Sequence, residues 1–133
     1  MLKYLLDTNI VIYVIKQRPV EVLTLFNQQH GRMAISAITL AELVHGAEKS
    51  HSPPRNLAVV EDFCSRLITL PYSDTAAYHY GSIRAVLEFA GQTIGVNDLH
   101  IAAHARSQGL VLVSNNLREF ERVPGLLMEN WVG

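Results

Sequence analysis

Three acidic residues stand where a folded chain could bring negative charge together. Asp7 directly follows the short apolar run 2–6, Glu42 interrupts an apolar segment, and Asp98 opens the segment that carries Ile101. Burying an unpaired carboxylate costs several kcal/mol, so each acid needs a partner or a function. A divalent cation is the usual remedy for clustered carboxylates, and oxygen ligands favour Mg²⁺ or Mn²⁺ over zinc. Two such ions about 3.5–4 Å apart can activate water for phosphodiester cleavage.

Ordinary structural roles also account for each acid taken singly. Asp7 and Asp98 are residues of the type that caps a helix N-terminus. Thr39 and Glu42 have the spacing of a capping box. What favours a shared site is that all three acids fall at strand ends or helix starts of one predicted sheet, where ligands of open α/β sheets bind.

The histidines are the competing metal signal. His100 and His104 lie four apart on a predicted helix, but Ile101 stands where the zinc-protease motif has glutamate. We therefore interpret both as surface or interface histidines. For His45 two interpretations stay open, and a helix histidine with satisfied hydrogen bonds is favoured over a catalytic one.

Strand and helix signals alternate along the chain. Short apolar runs predict strands near residues 2–6, 33–35, 67–70, 110–113 and 126–128. Helical patterns cover residues near 20–29, 37–48, 55–66, 76–90 and 97–108. This alternation predicts an α/β fold with a parallel sheet and helices on both faces. For residues 10–15 local propensity slightly favours a strand in a hairpin, although Asp7 or Thr8 could cap a helix there.

Length and composition fit one domain spanning residues 1–133. The chain is 49% hydrophobic and 17% charged, which excludes a disordered protein, and its net charge of −1 excludes a polybasic binder. The single cysteine excludes an internal disulfide and a Cys/His zinc box. The longest apolar run, residues 10–15, is far shorter than the ~20 residues that span a bilayer. We therefore expect a cytoplasmic protein with no membrane segment.

Four motifs occur in the order and at the spacing of the PIN-domain family. They are LLDTN at residues 5–9, SAITLAEL at 36–43, DLHIAAHA at 98–105 and LVSNN at 112–116. Over essentially its whole length the chain resembles the VapC-type toxin ribonucleases of type II toxin–antitoxin modules. The segments GAEKS at 46–50 and NLREFERVPG at 116–125 are similar to the enteric-bacterial branch. The resemblance implies a PIN-like fold with about five short parallel strands, and a helix from residue 8 to about 16 instead of the hairpin.

The resemblance also implies the roles of the site residues. Asp7, Glu42 and Asp98 correspond to the catalytic acids that bind Mg²⁺, for which Mn²⁺ is expected to substitute. Thr8 looks like the hydroxyl that the family places beside the first acid, and Asn9 belongs to the same turn.

The fourth position departs from the family pattern. Many PIN domains have a fourth acid after the fourth strand, where this chain has Asn116. Its carbonyl oxygen can still accept or coordinate, but it supplies no charge, so we expect the second Mg²⁺ to bind more weakly. Glu119 lies three residues later and could compensate if a short helix starts near Asn115. Alternatively, Glu119 is a solvated acid paired with Arg118 or Arg122.

The activity implied by the resemblance is that of a toxin. It is an Mg²⁺-dependent endoribonuclease that cleaves structured RNA, specifically the anticodon stem-loop of initiator tRNA, and so arrests translation. The implied partners are a VapB-type antitoxin and a second copy of the chain. A larger complex would bind operator DNA through the antitoxin alone. Without the three acids the net charge changes from −1 to +2, so Arg84, Arg106 and Arg118 are candidates for RNA phosphate contacts.

Other classes of protein fit the sequence less well. A phosphatase of the haloacid dehalogenase type needs a second aspartate where Asn9 stands. A receiver domain needs a lysine after its fifth strand, and the only lysines are Lys3, Lys16 and Lys49. A non-catalytic interaction module of PIN fold would be expected to have lost one of the three acids. A PIN-fold nuclease with a different RNA target stays an alternative.

Overall fold

Five short strands form one parallel sheet in the computed structural model, which describes residues 1–132. They are β1 (Tyr4–Leu6), β2 (Met33–Ser36), β3 (Ile68–Leu70), β4 (Val111–Val113) and β5 (Met128–Glu129). The order across the sheet is β3-β2-β1-β4-β5, and every pairing is parallel. The first strand is therefore central, and the predicted α/β fold class is confirmed.

Helices cover both faces of this sheet. They are α1 (Thr8–Lys16), α2 (Val20–Gln28), α3 (Ala37–Glu48), α4 (Pro53–Cys64), α5 (Asp74–Phe89), α6 (Val96–Gln108) and α7 (Leu117–Phe120). Along β1, Tyr4 and Leu6 join one apolar core with α1 to α4, whereas Leu5 joins another with α5 and α6. This alternation follows from the two-residue period of a strand. Within residues 1–132 no helix has the length and apolar character needed to cross a membrane.

The segment after β1 is a helix, so the hairpin that local propensity favoured is wrong. Asp7 has extended backbone angles and caps α1, since its Oδ1 accepts a 2.7 Å hydrogen bond from the Thr8 backbone N–H. Ile10, Val11 and Val14 then point into the core from one face of the helix. Burial of this face outweighs the β preference of branched residues, because tertiary packing supplies most of a helix's stability.

The starts of α3 and α6 differ from the predicted caps. Ser36 caps α3 by accepting a 3.1 Å hydrogen bond from the Ile38 backbone N–H. Thr39 lies inside the helix, so the capping box was wrong. The cap of α6 is Gly95, and Asp98 is the third helical residue, with no capping hydrogen bond from a side chain at this end. Neither Glu42 nor Asp98 therefore has the capping role that was its alternative explanation.

Candidate active site

The carboxyl ends of β1 and β4 place Asp7 at the bottom of the candidate site. Its side chain is buried, with 4% of the residue exposed. Oδ1 accepts the Thr8 N–H at 2.7 Å, and Oδ2 accepts the Ser114 hydroxyl at 2.8 Å. Burial raises the pKa of Asp7 above its usual range, and the charge of Glu42 adds to this, while the two donors oppose it. Asp7 is therefore held in one orientation, and a nearby positive charge would stabilise its ionised form.

Glu42 on α3 reaches the same place from the neighbouring helix. Its Oε1 accepts a 2.7 Å hydrogen bond from the hydroxyl of Thr8, the residue after Asp7. The same hydroxyl lies 3.2 Å from Oγ1 of Thr39, which is fully buried one turn before Glu42. Thr8 therefore orients Glu42.

Asp98 enters the site from the first turn of α6. Its pKa is raised from 3.8 to about 6 by burial, then by the charges of Asp7, Glu119 and Glu42. Charges of the same sign raise the pKa of an acid strongly only when they lie close to it. The structure thus brings the three predicted acids together, with Glu119 as a fourth.

The oxygen donors of this cluster fit the ion that the family resemblance implies. Carboxylate and hydroxyl oxygens suit Mg²⁺ or Mn²⁺ and do not suit zinc. Within residues 1–132 no three His, Cys, Asp or Glu side chains are close enough to form a complete metal cage. Mg²⁺ does not need one, because it keeps several waters and often shares its ligands with substrate phosphates. The cluster therefore fits an Mg²⁺ ion that is held by one or two carboxylates at a time.

The segment after β4, where many PIN domains have a fourth acid, agrees only in part with the prediction from the sequence. The short helix begins at Leu117, with Asn116 as its cap residue and Glu119 as its third residue, so both lie at its first turn. The Asn116 backbone N–H donates to the Ser114 hydroxyl at 2.9 Å. Glu119 lies close enough to raise the pKa of Asp98. Its predicted ion pairs with neighbouring arginines are not found among residues 1–132.

Asn9 follows Thr8 at the start of α1. It is the second residue of α1 and is exposed. Sequence reasoning missed Ser114 as a site residue, although its place directly after β4 matches that of Asp7 after β1. It also missed Thr39, because the spacing of Thr39 and Glu42 is that of a capping box and indicated only a structural role.

Arg106 lies away from these acids and makes hydrogen bonds within the fold. It lies eight residues after Asp98 on α6, about 12 Å along the helix axis. Its Nε donates to Nδ1 of His79 and its Nη1 to the carbonyl of Pro124, both at 2.8 Å. This guanidinium joins three segments of the fold, so its prediction as an RNA contact finds no support.

The other two candidate arginines are exposed. Arg84 on α5 donates to the Tyr80 hydroxyl at 2.7 Å and to Glu88 at 3.3 Å. Arg118 lies in α7, directly before Glu119. Arg118 is therefore adjacent to the fourth acid, and a phosphate at the cluster would be within the range of its charge.

The structure corrects the interpretation of the two α6 histidines. His104 is completely buried, and its Nδ1 lies 2.7 Å from the Ser36 hydroxyl, while no partner for Nε2 is found within residues 1–132. Burial lowers the pKa of His104. His100 is partly buried, stacks on Tyr80 with ring centres 4.1 Å apart, and its pKa is lowered by burial and by a nearby arginine. Both are packing residues, and His104 was wrongly predicted at the surface.

Two cavities flank Glu42. The larger, of about 330 Å³, lies between α1, α3 and α4 and is mainly apolar. We call it the α1–α3–α4 groove; it is lined by Thr8, Ile12, Ile15, Lys16, Glu42, Leu43, Gly46, Ala47, Asn56, Val59 and Val60. The smaller, of about 220 Å³, is the α3–α6 cavity, lined by Ile38, Ala41, Glu42, His45 and Asn97. Glu42 therefore forms the ridge between them.

Comparisons with known proteins agree with this fold. The PIN domain family matches residues 4–126. Ribonuclease VapC2 from Haemophilus influenzae is 65% identical over 132 residues, which cover 99% of this chain and 100% of that protein. The tRNA(fMet)-specific endonuclease VapC from Shigella flexneri is 55% identical over 131 residues, 98% of this chain and 99% of that protein.

Solved structures give the same result. The structure of DNA-bound VapBC from Salmonella typhimurium contains a chain that is 55% identical, with a TM-score of 0.95 over 99% of this chain and 100% of that one. VapBC2 from Rickettsia felis, bound to a promoter DNA fragment, contains a chain that is 38% identical, with a TM-score of 0.92 over 98% and 100%. Fold, motif order and overall identity agree, and the chain therefore belongs to the VapC ribonucleases of the PIN-domain family.

Proposed function

We propose that this ribonuclease requires Mg²⁺ and cleaves the anticodon stem-loop of initiator tRNA, which arrests translation. The observation that carries the proposal is the convergence of four acids, in which burial and the charges of Asp7, Glu119 and Glu42 together raise the pKa of Asp98. The RNA target is supported by the 55% identity with the tRNA(fMet)-specific endonuclease of Shigella flexneri over almost the full length of both chains.

Asp7, Glu42 and Asp98 are the carboxylates that would hold the ion, one or two of them at a time, with Glu119 nearby. Bound Mg²⁺ would offset the repulsion between the carboxylates and stabilise negative charge that develops on the scissile phosphate. Asp7 is oriented by the Ser114 hydroxyl and Glu42 by the Thr8 hydroxyl, so both acids are held in place before substrate arrives. Preorganised groups of this kind need no rearrangement during the reaction, which is the main source of electrostatic catalysis.

RNA binding would rest on exposed arginines. Arg118 is exposed beside Glu119, and Arg84 is exposed on α5. With the three acids neutralised, the rest of the chain has a net charge of +2. Phosphate contacts release counterions, so binding should weaken as salt rises.

A VapB-type antitoxin would use the α1–α3–α4 groove. The groove offers apolar side chains of three helices, and Glu42 and Thr8 lie at its border with the acids. An apolar antitoxin segment fits such a groove, and an arginine beside it could bridge the carboxylates with its fork of donors. The similar chains from Salmonella typhimurium and Rickettsia felis were solved in DNA-bound VapBC complexes. We infer the same partnership here, with a toxin homodimer in a larger complex and operator DNA bound through the antitoxin.

The deciding experiment incubates the purified protein with total tRNA and Mg²⁺, with and without EDTA, and maps the new RNA ends. We expect one cut in the anticodon loop of initiator tRNA, no cut in EDTA, and a rate at least roughly 10²-fold lower for Asp98→Asn. An active Asp98→Asn protein or undiminished cleavage in EDTA would overturn the metal mechanism. Cuts in another RNA would change only the proposed RNA target and would leave the metal mechanism standing.

The same preparation separates the remaining alternatives. A phosphatase would release phosphate from a small aryl phosphate and leave tRNA intact. A non-catalytic interaction module would do neither and would still bind the antitoxin. Either result would overturn the proposed nuclease.

A further inference from the structure

The α3–α6 cavity is distinct in size and chemistry from the α1–α3–α4 groove. Sites for drug-sized ligands have volumes of about 300–1,000 Å³, and this cavity has about 220 Å³. It can therefore hold a single planar ring system and is too small for a helix. It opens directly beside Glu42, one of the converging acids.

Its walls combine an apolar surface with two exposed polar side chains. Ile38, Ala41 and His45 follow one another on successive turns of α3, so they form one continuous strip. Asn97 faces them from the first turn of α6, directly before Asp98. Both His45 and Asn97 are exposed and accessible to a ligand.

The charge of the lining selects the kind of ligand. The residues around the cavity include one carboxylate and no lysine or arginine, which disfavours a phosphate and suits a neutral group. An imidazole ring offers a stacking surface, and a carboxamide offers both a donor and an acceptor. These are the two contacts by which proteins recognise the unstacked bases of RNA loops.

We propose that the α3–α6 cavity binds the nucleobase adjacent to the scissile phosphate, with His45 stacking on the base and Asn97 bonding to its edge. The inference rests on the proposed ribonuclease function. Glu42 belongs to both the cavity and the acid cluster, and Asn97 is the neighbour of Asp98 in sequence. A phosphate that lies at the acids therefore has its own nucleoside within reach of the cavity.

The test compares RNA hairpins that contain the cleavage site with the same hairpins made abasic at one flanking position. His45→Ala and Asn97→Ala are compared with His51→Ala, an exposed histidine in the loop after α3. On intact RNA we expect each cavity variant to lower kcat/KM roughly tenfold, mainly through KM, as for one lost base contact. His45→Phe keeps a stacking ring and should retain most activity, and His51→Ala should match the wild type.

The abasic hairpin supplies the readout that a merely structural role would not move. With the flanking base absent, the wild type should fall to the level of His45→Ala, and the substitution should cause no further loss. An equal loss on both hairpins would overturn the inference, and so would variants that match the wild type on both. Those outcomes leave the proposed function intact, as long as the wild type cleaves and Asp98→Asn does not.

A measurement of RNA binding tests the inference if the wild type shows no cleavage. Failure of the wild type to cut any RNA would overturn the proposed function. Anisotropy with the Asp98→Asn protein would then compare intact and abasic hairpins without turnover. Equal affinities would overturn the base-binding inference as well, and tighter binding of the intact hairpin that depends on His45 would support it.

Discussion

The hydroxyl of Ser114 donates a 2.8 Å hydrogen bond to Oδ2 of Asp7 across 107 positions of sequence. The two residues follow directly on β4 and β1, which are neighbours in the sheet. The same hydroxyl accepts the backbone N–H of Asn116 at 2.9 Å. One serine therefore fixes the first acid and also the turn that leads to Glu119.

We expect Ser114→Ala to lower the free energy of unfolding by about 1–3 kcal/mol, the range for a buried charged group that loses its donor. The substitution should also raise the Mg²⁺ concentration needed for half-maximal cleavage, since Asp7 is held less firmly. Denaturant titration and Mg²⁺ titration measure the two effects. Ser73→Ala is the control, because Ser73 makes no capping hydrogen bond at α5. Unchanged values for Ser114→Ala would contradict the assigned role.

Asp98 makes the stability of the metal-free protein depend on pH. Its folded pKa of about 6 lies above the ordinary 3.8, so the folded state binds more protons between these values. Stability is therefore lost as pH rises from about 4 to about 6. Asp98→Asn cannot ionise, so its Tm should exceed that of the wild type more at pH 8 than near pH 4. Thermal melts in EDTA measure this, and a constant difference across that range would refute it.

Glu119→Gln should raise the Mg²⁺ concentration for half-maximal cleavage, because it removes a charge that acts on Asp98. Asn116→Asp should lower this concentration or leave it unchanged. Glu121→Gln is the matched control, since Glu121 is exposed directly after α7. A silent Glu119→Gln together with an inactive Asn116→Ala would reject compensation by Glu119. In that case Asn116 alone would occupy the fourth position.

Val59→Glu should weaken antitoxin binding at least roughly tenfold, because it places a charge in an apolar contact. Val59 lines the α1–α3–α4 groove on α4 and does not line the α3–α6 cavity. RNA cleavage by the free toxin should stay unchanged. Val86→Glu, an exposed valine on α5, controls for the added charge. Inhibition that is equally strong in both variants would exclude the groove as the antitoxin site.

Arg118→Ala and Arg106→Ala should fail in different ways. The first removes a phosphate contact, so the slope of log K against log salt for RNA binding should fall by about 1. The second removes hydrogen bonds to His79 and Pro124, so it should lower the free energy of unfolding by about 1 kcal/mol or more. Binding titrations at several salt concentrations and denaturant melts separate the two. A lower salt slope for Arg106→Ala would restore it as an RNA contact.

The sequence predicted the acids better than the contacts that hold them. Asp7, Glu42 and Asp98 could be found because each stands at a strand end or near a helix start, which is a local property. The hydrogen bond of Ser114 depends on a residue 107 positions away, and that of His104 on one 68 positions away. No local pattern encodes such pairs.

The helix after β1 shows the same division. The branched residues 10–15 favour a strand locally, and only the resemblance to the family predicted a helix. Its inner face packs against α2 and α3 elements that appear later in the chain. A short-range pattern could not include that burial, which decides the conformation.

Glu42 belongs to the acid cluster and borders both cavities. In a cell, this shared position means that one mutation at Glu42 can change both the activity of the toxin and its binding to the antitoxin. Mutations that disarm the toxin at Asp98 should leave the groove for the antitoxin largely intact, so disarmed and active toxins would compete for the same antidote. We expect mutations at Glu42 both to remove activity and to weaken antitoxin binding. Survivors of toxin expression that carry Glu42 changes should therefore fail to release wild-type toxin from its antitoxin, whereas Asp98 survivors should do so and be dominant.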